Sequence, residues 1–339
     1  MATIIDVAKR AGVSIKTVSR VMNDHAYVRD DTRERVTTAM RELGYAPSDA
    51  ARRMRTGKSQ LIGMLYGDPS SGYQSRLNHA MLQACSEAGT YLVAGLFDEG
   101  KGHWREQLES FLDRTRADRM VLVPPMCNAT VLQEVLTDRG IGFVLVSPSI
   151  VSPQAMSVAM DDQQAAREIT QYLIALGHRR LAHISGDPNH VASLLRRQGY
   201  EEALIEAGLP KPDPSLIEEG RFGFREALSC AERILSLPER PTAIFAASDD
   251  MAAATMIAAG KLGLSVPGDL SIAGFDDTPI ANNIWPALTT IAQPFQQMAD
   301  EAVRLLNLPP EKKQQQNLQI LCPYELIVRD SCAAPKRCQ

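Results

Sequence analysis

The sequence has few aromatic residues and no run of 18 uncharged apolar residues. Phe, Trp and Tyr make up 5% of its 339 residues, although hydrophobic residues make up 45%. Without such a run there is no candidate membrane-spanning helix. The charged residue Asp6 also interrupts the N-terminus where a secretory signal needs an apolar segment. We therefore expect a cytoplasmic protein that does not enter membranes.

The chain also lacks the motifs that mark metal sites, disulfide frameworks and common catalytic centres. Its six cysteines and six histidines are scattered, without CxxC or HExxH spacing. Neither a glycine-rich nucleotide-binding loop nor a GxSxG segment is present. His183 with Asp187 or His190 is a conceivable acid–base pair, but a lone histidine in a strand is more often structural. We expect no enzymatic activity, no metal and no cofactor other than a small-molecule effector.

Charge is unevenly distributed along the chain, whose formal net charge is −4. Residues 1–58 hold 12 basic and 7 acidic side chains, so the rest of the chain holds 24 basic and 33 acidic ones. A basic head on an acidic body is typical of a protein whose head contacts an anionic polymer. Solvated surface charge can produce an excess of this size as well, so the charge distribution alone does not establish that the head binds an anionic polymer.

Hydrophobic spacing predicts three short helices within residues 4–45. Gly12 separates the first two, and Ser14 is placed to cap the second with its hydroxyl. The third ends near Gly44 and Pro47, a residue that cannot continue a helix. The basic segment that follows has few apolar side chains and is marginal as an isolated helix, so we interpret it as a linker that folds on a partner.

From residue 61 onward, apolar runs alternate with helical segments, as in a parallel sheet flanked by helices. The strand candidates are Leu61–Tyr66, Tyr91–Leu96, Met120–Val123, Phe143–Val146, Leu181–Ser185, Ala243–Ala246 and Leu270–Gly274. Helices are expected around residues 74–88, 104–115, 129–139, 162–176, 193–207, 224–236, 250–262 and 295–306. These units are too many for one sheet in a chain of this length, so we predict an α/β fold with two doubly wound lobes and a cleft between them.

The second helix has the properties of a helix that reads the major groove of DNA. Lys16 and Arg20 share one face, whereas Val18 and Val21 point to the other, into a small core. The Arg20 guanidinium can donate two hydrogen bonds to a guanine edge, and Ile15 can contact a thymine methyl group. A helical bundle with solvated charges is the alternative, but it gives the basic linker no role.

The segment from Thr3 to Asn23, TIIDVAKRAGVSIKTVSRVMN, resembles the signature of the lactose-repressor (LacI/GalR) family. The similarity continues through Val28, Thr32, Arg33, Val36, Ala39, Leu43, Gly44, Tyr45 and Pro47, and across the body to about residue 330. The resemblance implies that Ile15, Lys16 and Arg20 read bases. It places the DNA-backbone contacts at Ser14, Thr17, Ser19 and Asn23.

The resemblance also gives the linker a role. In that family the segment matching residues 48–56 folds into a hinge helix on operator DNA, where a leucine from each of two hinges opens the minor groove. Here that position is Met54, an apolar and adaptable side chain that can intercalate. Arg52 and Arg55 are the neighbouring candidate DNA contacts. An exposed Met54 in a plain linker is the alternative.

The resemblance implies a periplasmic-binding-protein-like body behind a helix-turn-helix domain. We place the DNA-binding domain at residues 1–47, the hinge or linker at 48–59, the effector-binding and dimerisation domain at 60–331 and a frayed tail at 332–339. Lobe 1 is expected at about 60–160 and 291–322, and lobe 2 at about 161–290 and 323–331.

Polar residues at the carboxyl ends of the predicted strands are the candidates for an effector site. Asp68 follows the first strand with Tyr73 beyond it, Ser147 follows the fourth, and Asp276 follows the last. Carboxylates accept hydrogen bonds from paired sugar hydroxyls, and arginine donates them.

By resemblance, family members bind effectors through the positions of Tyr73, Ser147, Arg196, Phe222, Asp249, Asp276 and Phe295. Ser147 departs from the charged residue often found at its position. The segments RRQGY, which begins with Arg196, and GFDDT, around Asp276, resemble family motifs and imply that these two residues clasp the ligand. Asp249 is equally placed to cap a helix, and Phe222 and Phe295 are equally suited to a core.

We expect a homodimeric repressor of carbohydrate-utilisation genes that binds a palindromic operator in double-stranded DNA, because one helix-turn-helix reads only a half-site. A sugar inducer is expected to release it from the operator. A corepressor-activated regulator of a non-sugar metabolite, such as a nucleobase, is the alternative. A solute-binding protein is a weaker one, since it leaves the DNA-binding head unexplained.

Overall fold

The computed structural model describes residues 2–22, 25, 27–45, 60–67, 71–98, 100–149, 155–309, 311 and 318–336. The chain divides into two compact units, Met1–Gln60 and Leu61–Gln339. Several sequence-based assignments lie outside the described residues: Asn23, Arg52, Met54, Arg55 and Asp68.

The first unit contains three helices among its described residues, as predicted: α1 (Ile4–Ala11), α2 (Ile15–Met22) and α3 (Asp30–Glu42). A reciprocal cap begins α1, because the Thr3 hydroxyl accepts from the Asp6 N–H at 3.3 Å and the Asp6 carboxylate accepts from the Thr3 N–H at 2.8 Å. The Ser14 hydroxyl accepts from the Thr17 N–H at 3.1 Å, which confirms the predicted cap of α2.

The turn between α1 and α2 depends on Gly12, whose φ of +64° is left-handed. The Arg35 guanidinium on α3 donates to the Ala11 carbonyl at 2.6 Å, and a Cβ added at Gly12 would lie 2.9 Å from its Nη2. All three helices contribute to the buried core, with Val7, Ala8, Ala11, Val18, Val21, Val36 and Ala39. This packing fixes which face of α2 points away from the core.

The strands of the second unit are β1 (Leu61–Tyr66), β2 (Tyr91–Leu96), β3 (Arg119–Leu122), β4 (Gly142–Val146), β5 (Ser157–Ala159), β6 (Leu181–Ser185), β7 (Ile217–Glu219), β8 (Ala243–Ala246), β9 (Ser271–Ala273), β10 (Thr290–Ala292), β11 (Gln319–Leu321) and β12 (Glu325–Ile327). Its helices are α4 (Gly72–Glu87), α5 (Trp104–Thr115), α6 (Thr130–Asp138), α7 (Asp162–Ala175), α8 (Val191–Glu206), α9 (Phe224–Leu235), α10 (Asp249–Lys261), α11 (Pro279–Asn283) and α12 (Phe295–Asn307). Each strand and helix expected from the sequence is present, with ends shifted by at most two residues.

The described strands form two parallel sheets and one antiparallel pair. The first sheet has the order β11-β5-β4-β3-β1-β2, and the second has the order β7-β6-β8-β9. The antiparallel pair is β10 with β12. We call the first sheet with α4, α5, α6 and α12 the first lobe. The second lobe consists of the second sheet, α7 to α11 and the β10–β12 pair, whose Ile291 and Leu326 pack in its core. The chain passes between these lobes after β5, after β10 and after β11.

Apolar side chains bury the faces of both sheets. In the first lobe one core joins strand residues such as Met64 and Val144 to helix residues such as Leu77 and Met298. The second sheet is covered on both faces, by α9 and α10 on one side and by α7 and α8 on the other. Continuous apolar strands are therefore required, as the sequence shows.

The frayed tail expected at residues 332–339 is wrong for residues 332–336, which continue an anchored segment from Ser331. Ser331 is fully buried, and its hydroxyl donates to the Ile272 carbonyl at 2.6 Å. The Ala333 N–H donates to the Ser271 hydroxyl at 3.0 Å, and the Lys336 ammonium lies 2.6 Å from the Asp269 carboxylate. These contacts attach the segment to the second lobe alongside β9.

Candidate functional site

The face of α2 that points away from the head core carries the residues expected to read bases. Ile15 is 47% exposed although it is apolar, and Lys16 and Arg20 are exposed beside it. Among the described residues, neither cation has a hydrogen-bond or ion-pair partner. This face therefore offers an apolar contact and two free cationic donors to a ligand.

The residues expected at the DNA backbone flank this face. Ser14 is exposed, while Thr17 and Ser19 are half-buried. The Ser14 and Thr17 hydroxyls are 3.0 Å apart and fix the start of α2. Hydroxyls at a helix N-terminus are suitable donors to phosphate oxygens.

A cavity of about 330 Å³ lies between the two lobes. Its walls are built largely from residues that follow strands, which is where ligands bind in doubly wound sheets. The lining residues are Gly67, Ser71, Tyr73, Gln74, Pro124, Ser147, Asp162, His190, Ala192, Arg196, Arg221, Phe222, Gly223, Ser248, Asp250, Asp276 and Gln293. The volume is within the range of small-molecule binding sites.

Arg196, on α8, organises the centre of the cavity. Its Nε donates to the Asp162 carboxylate at 2.8 Å, and its Nη1 donates to the Ala247 carbonyl at 2.6 Å and reaches Asp276 at 3.5 Å. The guanidinium also stacks 3.6 Å from the centroid of the Phe275 ring. Because Arg196 is 4% exposed, these contacts hold it rigidly.

Asp276 lies beside Arg196 at the end of β9 and is equally buried. Gln293 donates to its carboxylate at 2.6 Å. Burial raises the pKa of Asp276 to about 7; Arg196 opposes this rise, while Asp250 and Asp162 reinforce it by repulsion. A carboxyl group that titrates near neutral pH is typical of a functional site.

Aromatic rings cover one side of the cavity. The Phe222 ring lies 5.6 Å from the His190 ring and 5.9 Å from the Arg196 guanidinium. Tyr73 packs edge-on against Phe295, with 5.4 Å between ring centroids. Burial and the charge of Asp276 raise the pKa of Tyr73, so its hydroxyl remains a hydrogen-bond donor. Burial lowers the pKa of His190, which therefore favours the neutral imidazole.

Four lining residues have a left-handed backbone although none is glycine: Ser147, Arg221, Phe222 and Asp276 have φ values of 48°, 51°, 57° and 113°. Side chains rarely adopt such conformations, which are concentrated at binding sites where surrounding packing enforces them. The backbone thus aims these side chains into the cavity at a cost in stability.

The cavity brings together five of the residues assigned from the sequence: Tyr73, Ser147, Arg196, Phe222 and Asp276. The other two described candidates, Asp249 and Phe295, are not among the residues that line it, so the structure does not support them as direct contacts. Asp249 is fully buried and accepts from the Thr278 N–H at 2.7 Å and the Thr290 hydroxyl at 2.6 Å. It is not a helix cap either, because Ser248 caps α10. Phe295 is 3% exposed and supports Tyr73 from behind.

Several lining residues were missed, namely Asp162, His190, Arg221, Ser248, Asp250 and Gln293. Asp162 begins α7 directly after β5, a strand that sequence reasoning did not find. Gln293 likewise follows the missed strand β10. The rule that ligands bind at strand ends would have found both, had these strands been recognised.

His183, considered above as an acid–base residue, is fully buried away from the cavity lining. It stacks between the rings of Tyr200 and Phe245, and its Nδ1 lies 2.9 Å from the Phe245 carbonyl oxygen. Burial lowers its pKa to about 3, so it stays neutral and structural. Among the described residues, no group of His, Cys, Asp and Glu could hold a metal ion, and no helix is long and apolar enough to span a membrane.

Comparison with known proteins identifies the family. A model described as bacterial regulatory proteins, lacI family, matches residues 3–48, and one described as a periplasmic binding protein-like domain matches residues 170–332. The HTH-type transcriptional regulator DegA of Bacillus subtilis (strain 168) is 32% identical over 332 residues, which cover 97% of both chains. The chain belongs to the lacI family of bacterial regulatory proteins.

Other members of the lacI family are similar along the whole chain. The HTH-type transcriptional repressor PurR of Vibrio vulnificus (strain CMCP6) is 32% identical, over 98% of both chains. The structure of the lac repressor dimer bound to operator and the anti-inducer ONPF has a TM-score of 0.82 at 27% identity, over 98% of this chain and 99% of that chain. A complex of the transcriptional regulator CelR with cellobiose has a TM-score of 0.72 at 29% identity, over 98% of this chain and 100% of that chain. This lacI-family protein is thus a DNA-binding transcriptional regulator with an α/β body.

Proposed function

We propose that the chain is a homodimeric repressor of carbohydrate-utilisation genes, released from a palindromic operator when a sugar enters the cavity. The observation that carries the proposal is the cavity, in which Arg196 and Asp276 lie beside an aromatic wall. Carboxylate and guanidinium groups pair with sugar hydroxyls, and an aromatic ring covers the apolar face of a sugar. The solved complex of CelR with cellobiose supports a carbohydrate ligand.

The DNA-binding part of the proposal rests on α2. Arg20 is the candidate for a bidentate contact to guanine, Ile15 for a thymine methyl, and Lys16 for a further base edge. Two copies of the chain are needed to read both halves of a palindrome. The lac repressor dimer on its operator supports this arrangement, and the linker containing Met54 remains the candidate for minor-groove insertion.

The direct test is fluorescence anisotropy of the full-length protein on a palindromic site from upstream of its own gene. Specific binding that weakens steeply with salt is expected. A panel of mono- and disaccharides is then titrated, and one of them should abolish binding. Tighter operator binding with a ligand would replace inducer release by corepression, and no specific binding would refute the proposal.

Arg20→Ala and Arg41→Ala provide a matched pair for the DNA interface. Both remove one exposed cation, but Arg20 lies on α2 whereas Arg41 lies in the last turn of α3. Arg20→Ala should weaken specific operator binding by about 10- to 100-fold, since a bidentate base contact contributes about 1–3 kcal/mol. Arg41→Ala should change specific and nonspecific binding alike. Equal effects of the two substitutions on specificity would refute the role of Arg20.

A further inference from the structure

Asp250 connects the two lobes at the edge of the cavity. It lies in the first turn of α10 in the second lobe, and its Oδ2 accepts from the N–H of Gly72 at 3.2 Å. Gly72 is the first residue of α4 in the first lobe. At the same point the lobes approach closely, because a Cβ added at Gly72 would lie 2.9 Å from Cγ2 of Thr278.

The N–H groups of Gly72 and Gln74, in the first turn of α4, therefore already have acceptors within the protein. Helix N-termini attract anions through free N–H groups and the helix dipole. Here the Gly72 N–H donates to Asp250, and the Gln74 and Ser75 N–H groups donate to the hydroxyl and carbonyl oxygens of Ser71 at 3.1 and 3.0 Å. A carboxylate of the protein thus stands where an anionic ligand group would bind.

Each cation of the cavity is likewise already paired with a carboxylate of the protein. Arg196 is held by Asp162, Asp276 and the Ala247 carbonyl. Arg221, at the rim, pairs through its Nε with Asp187 at 3.3 Å. Among the described residues, three aspartates and two arginines line the cavity, and both arginines are paired with a carboxylate. No unpaired cation is left to offset a further negative charge in this partly buried site.

We propose that Asp250 acts as a built-in anion at the N-terminus of α4, so that the cavity accepts neutral or amine-bearing polyhydroxy compounds and rejects phosphorylated and carboxylated ones. This inference rests on the proposed role of the cavity as the effector site. It makes Asp250 a specificity-determining residue that also links the lobes when the cleft is closed. Burial is the main cause of the raised pKa of Asp276, and repulsion from Asp250 adds to it, which fits a site that favours added positive charge or none.

The test uses matched ligands that differ in charge. Calorimetry measures the binding of each ligand to the full-length protein. The neutral ligands are glucose, galactose, mannose, ribose and the disaccharide cellobiose. Each monosaccharide is compared with its phosphate ester, and each hexose also with its amino sugar and its uronic acid. A neutral or amine-bearing member should bind, and its phosphorylated or carboxylated counterpart should bind about 100-fold more weakly or not at all, because like-charge juxtaposition costs several kcal/mol.

Substitutions assign this discrimination to Asp250. Asp250→Asn removes the charge but keeps an acceptor for the Gly72 N–H, and should reduce the discrimination to about tenfold or less. Asp250→Glu keeps the charge and should keep the discrimination. Asp300→Asn, at an exposed carboxylate on α12 that accepts from Gln296, is the charge-matched control and should leave ligand selection unchanged. If Asp250→Asn does not fold, the ligand ranking of the unaltered protein still tests whether the cavity rejects phosphorylated and carboxylated compounds.

Three results would overturn the inference. The first is that an acidic sugar binds the unaltered protein as tightly as its neutral parent. The second is that Asp250→Asn discriminates between neutral and acidic ligands as strongly as the unaltered protein. The third is that no neutral or amine-bearing compound binds. Operator binding is measured separately on the same samples. Specific operator binding without the expected ligand ranking refutes this inference alone, whereas loss of specific operator binding in the unaltered protein refutes the proposed function.

Discussion

Asp276→Asn is the most direct test of the effector site, because the carboxyl group of Asp276 changes charge near neutral pH. Its pKa of about 7 means that about one-tenth of the molecules are ionised at about pH 6 and about one-hundredth at about pH 5. Sugar hydroxyls donate more strongly to a carboxylate than to its neutral acid. Effector affinity should therefore rise about 10- to 100-fold from about pH 5 to about pH 8 and then level off.

Tyr73 and His190 do not produce the same profile. Tyr73 remains neutral throughout this range because its pKa is raised. Burial lowers the pKa of His190, which favours its neutral form. Asp249 shares the titration of Asp276, because burial and the charge of Asp276 raise the pKa of Asp249 as well. The change between about pH 6 and about pH 8 is therefore assigned to this pair, of which Asp276 is the member that lines the cavity.

The assay is calorimetric titration with the sugar that releases the operator, in buffers of different ionisation enthalpy. At about pH 6 the unaltered protein should release protons on binding, since the ligand selects the ionised carboxylate. Asp276→Asn should bind about 10- to 100-fold more weakly at about pH 8, because a charge-assisted hydrogen bond is lost, and its affinity should vary much less with pH. Equal pH profiles for the two proteins would refute the reasoning.

Three further substitutions test the framework around the sites. Gly72→Ala should weaken effector binding about tenfold or more, since its Cβ would lie 2.9 Å from Cγ2 of Thr278 and hold the lobes apart; calorimetry measures the affinity, and unchanged affinity would contradict the contact. Ser331→Ala should destabilise the body by about 1–3 kcal/mol because it leaves buried backbone groups without a partner; an unchanged Tm would refute this. Gly12→Ala should destabilise the head by about 1–2 kcal/mol through its left-handed φ and its approach to Arg35. Denaturation followed together with operator affinity tests it, and full retention of both would count against it.

The longer elements could be predicted from sequence because their signals are local. The strands β6 and β8 and the helix α5 were located to the residue, since each combines an apolar pattern with clear ends. The three-residue strands β5, β7, β10, β11 and β12 were missed because three residues are too few to show a period. The anchored tail was missed because Ser331 and Ala333 are held by residues distant in sequence.

The first turn of α10 shows why the site could be predicted only in part. Asp249 and Asp250 are adjacent in sequence, and both are aspartates at the end of an apolar strand. Consecutive residues of a helix point in directions about 100° apart. Asp249 consequently turns inward to Thr278 and Thr290, and Asp250 turns across the cleft to Gly72. Only the position of the opposite lobe separates a structural aspartate from a cavity residue.

The raised pKa of Asp276 and the left-handed backbone of the cavity wall both oppose stability near neutral pH, and both prepare the cavity for a ligand. Because the folded-state pKa of Asp276 is raised from 3.8 to about 7, its contribution to stability is complete below about pH 4 and is lost as the pH rises through about 7. Its φ of 113° and the left-handed backbone of Phe222 add strain at the same wall. A ligand that donates to the Asp276 carboxylate stabilises the ionised form that burial disfavours. We therefore expect effector binding to shift this carboxyl group towards its ionised form.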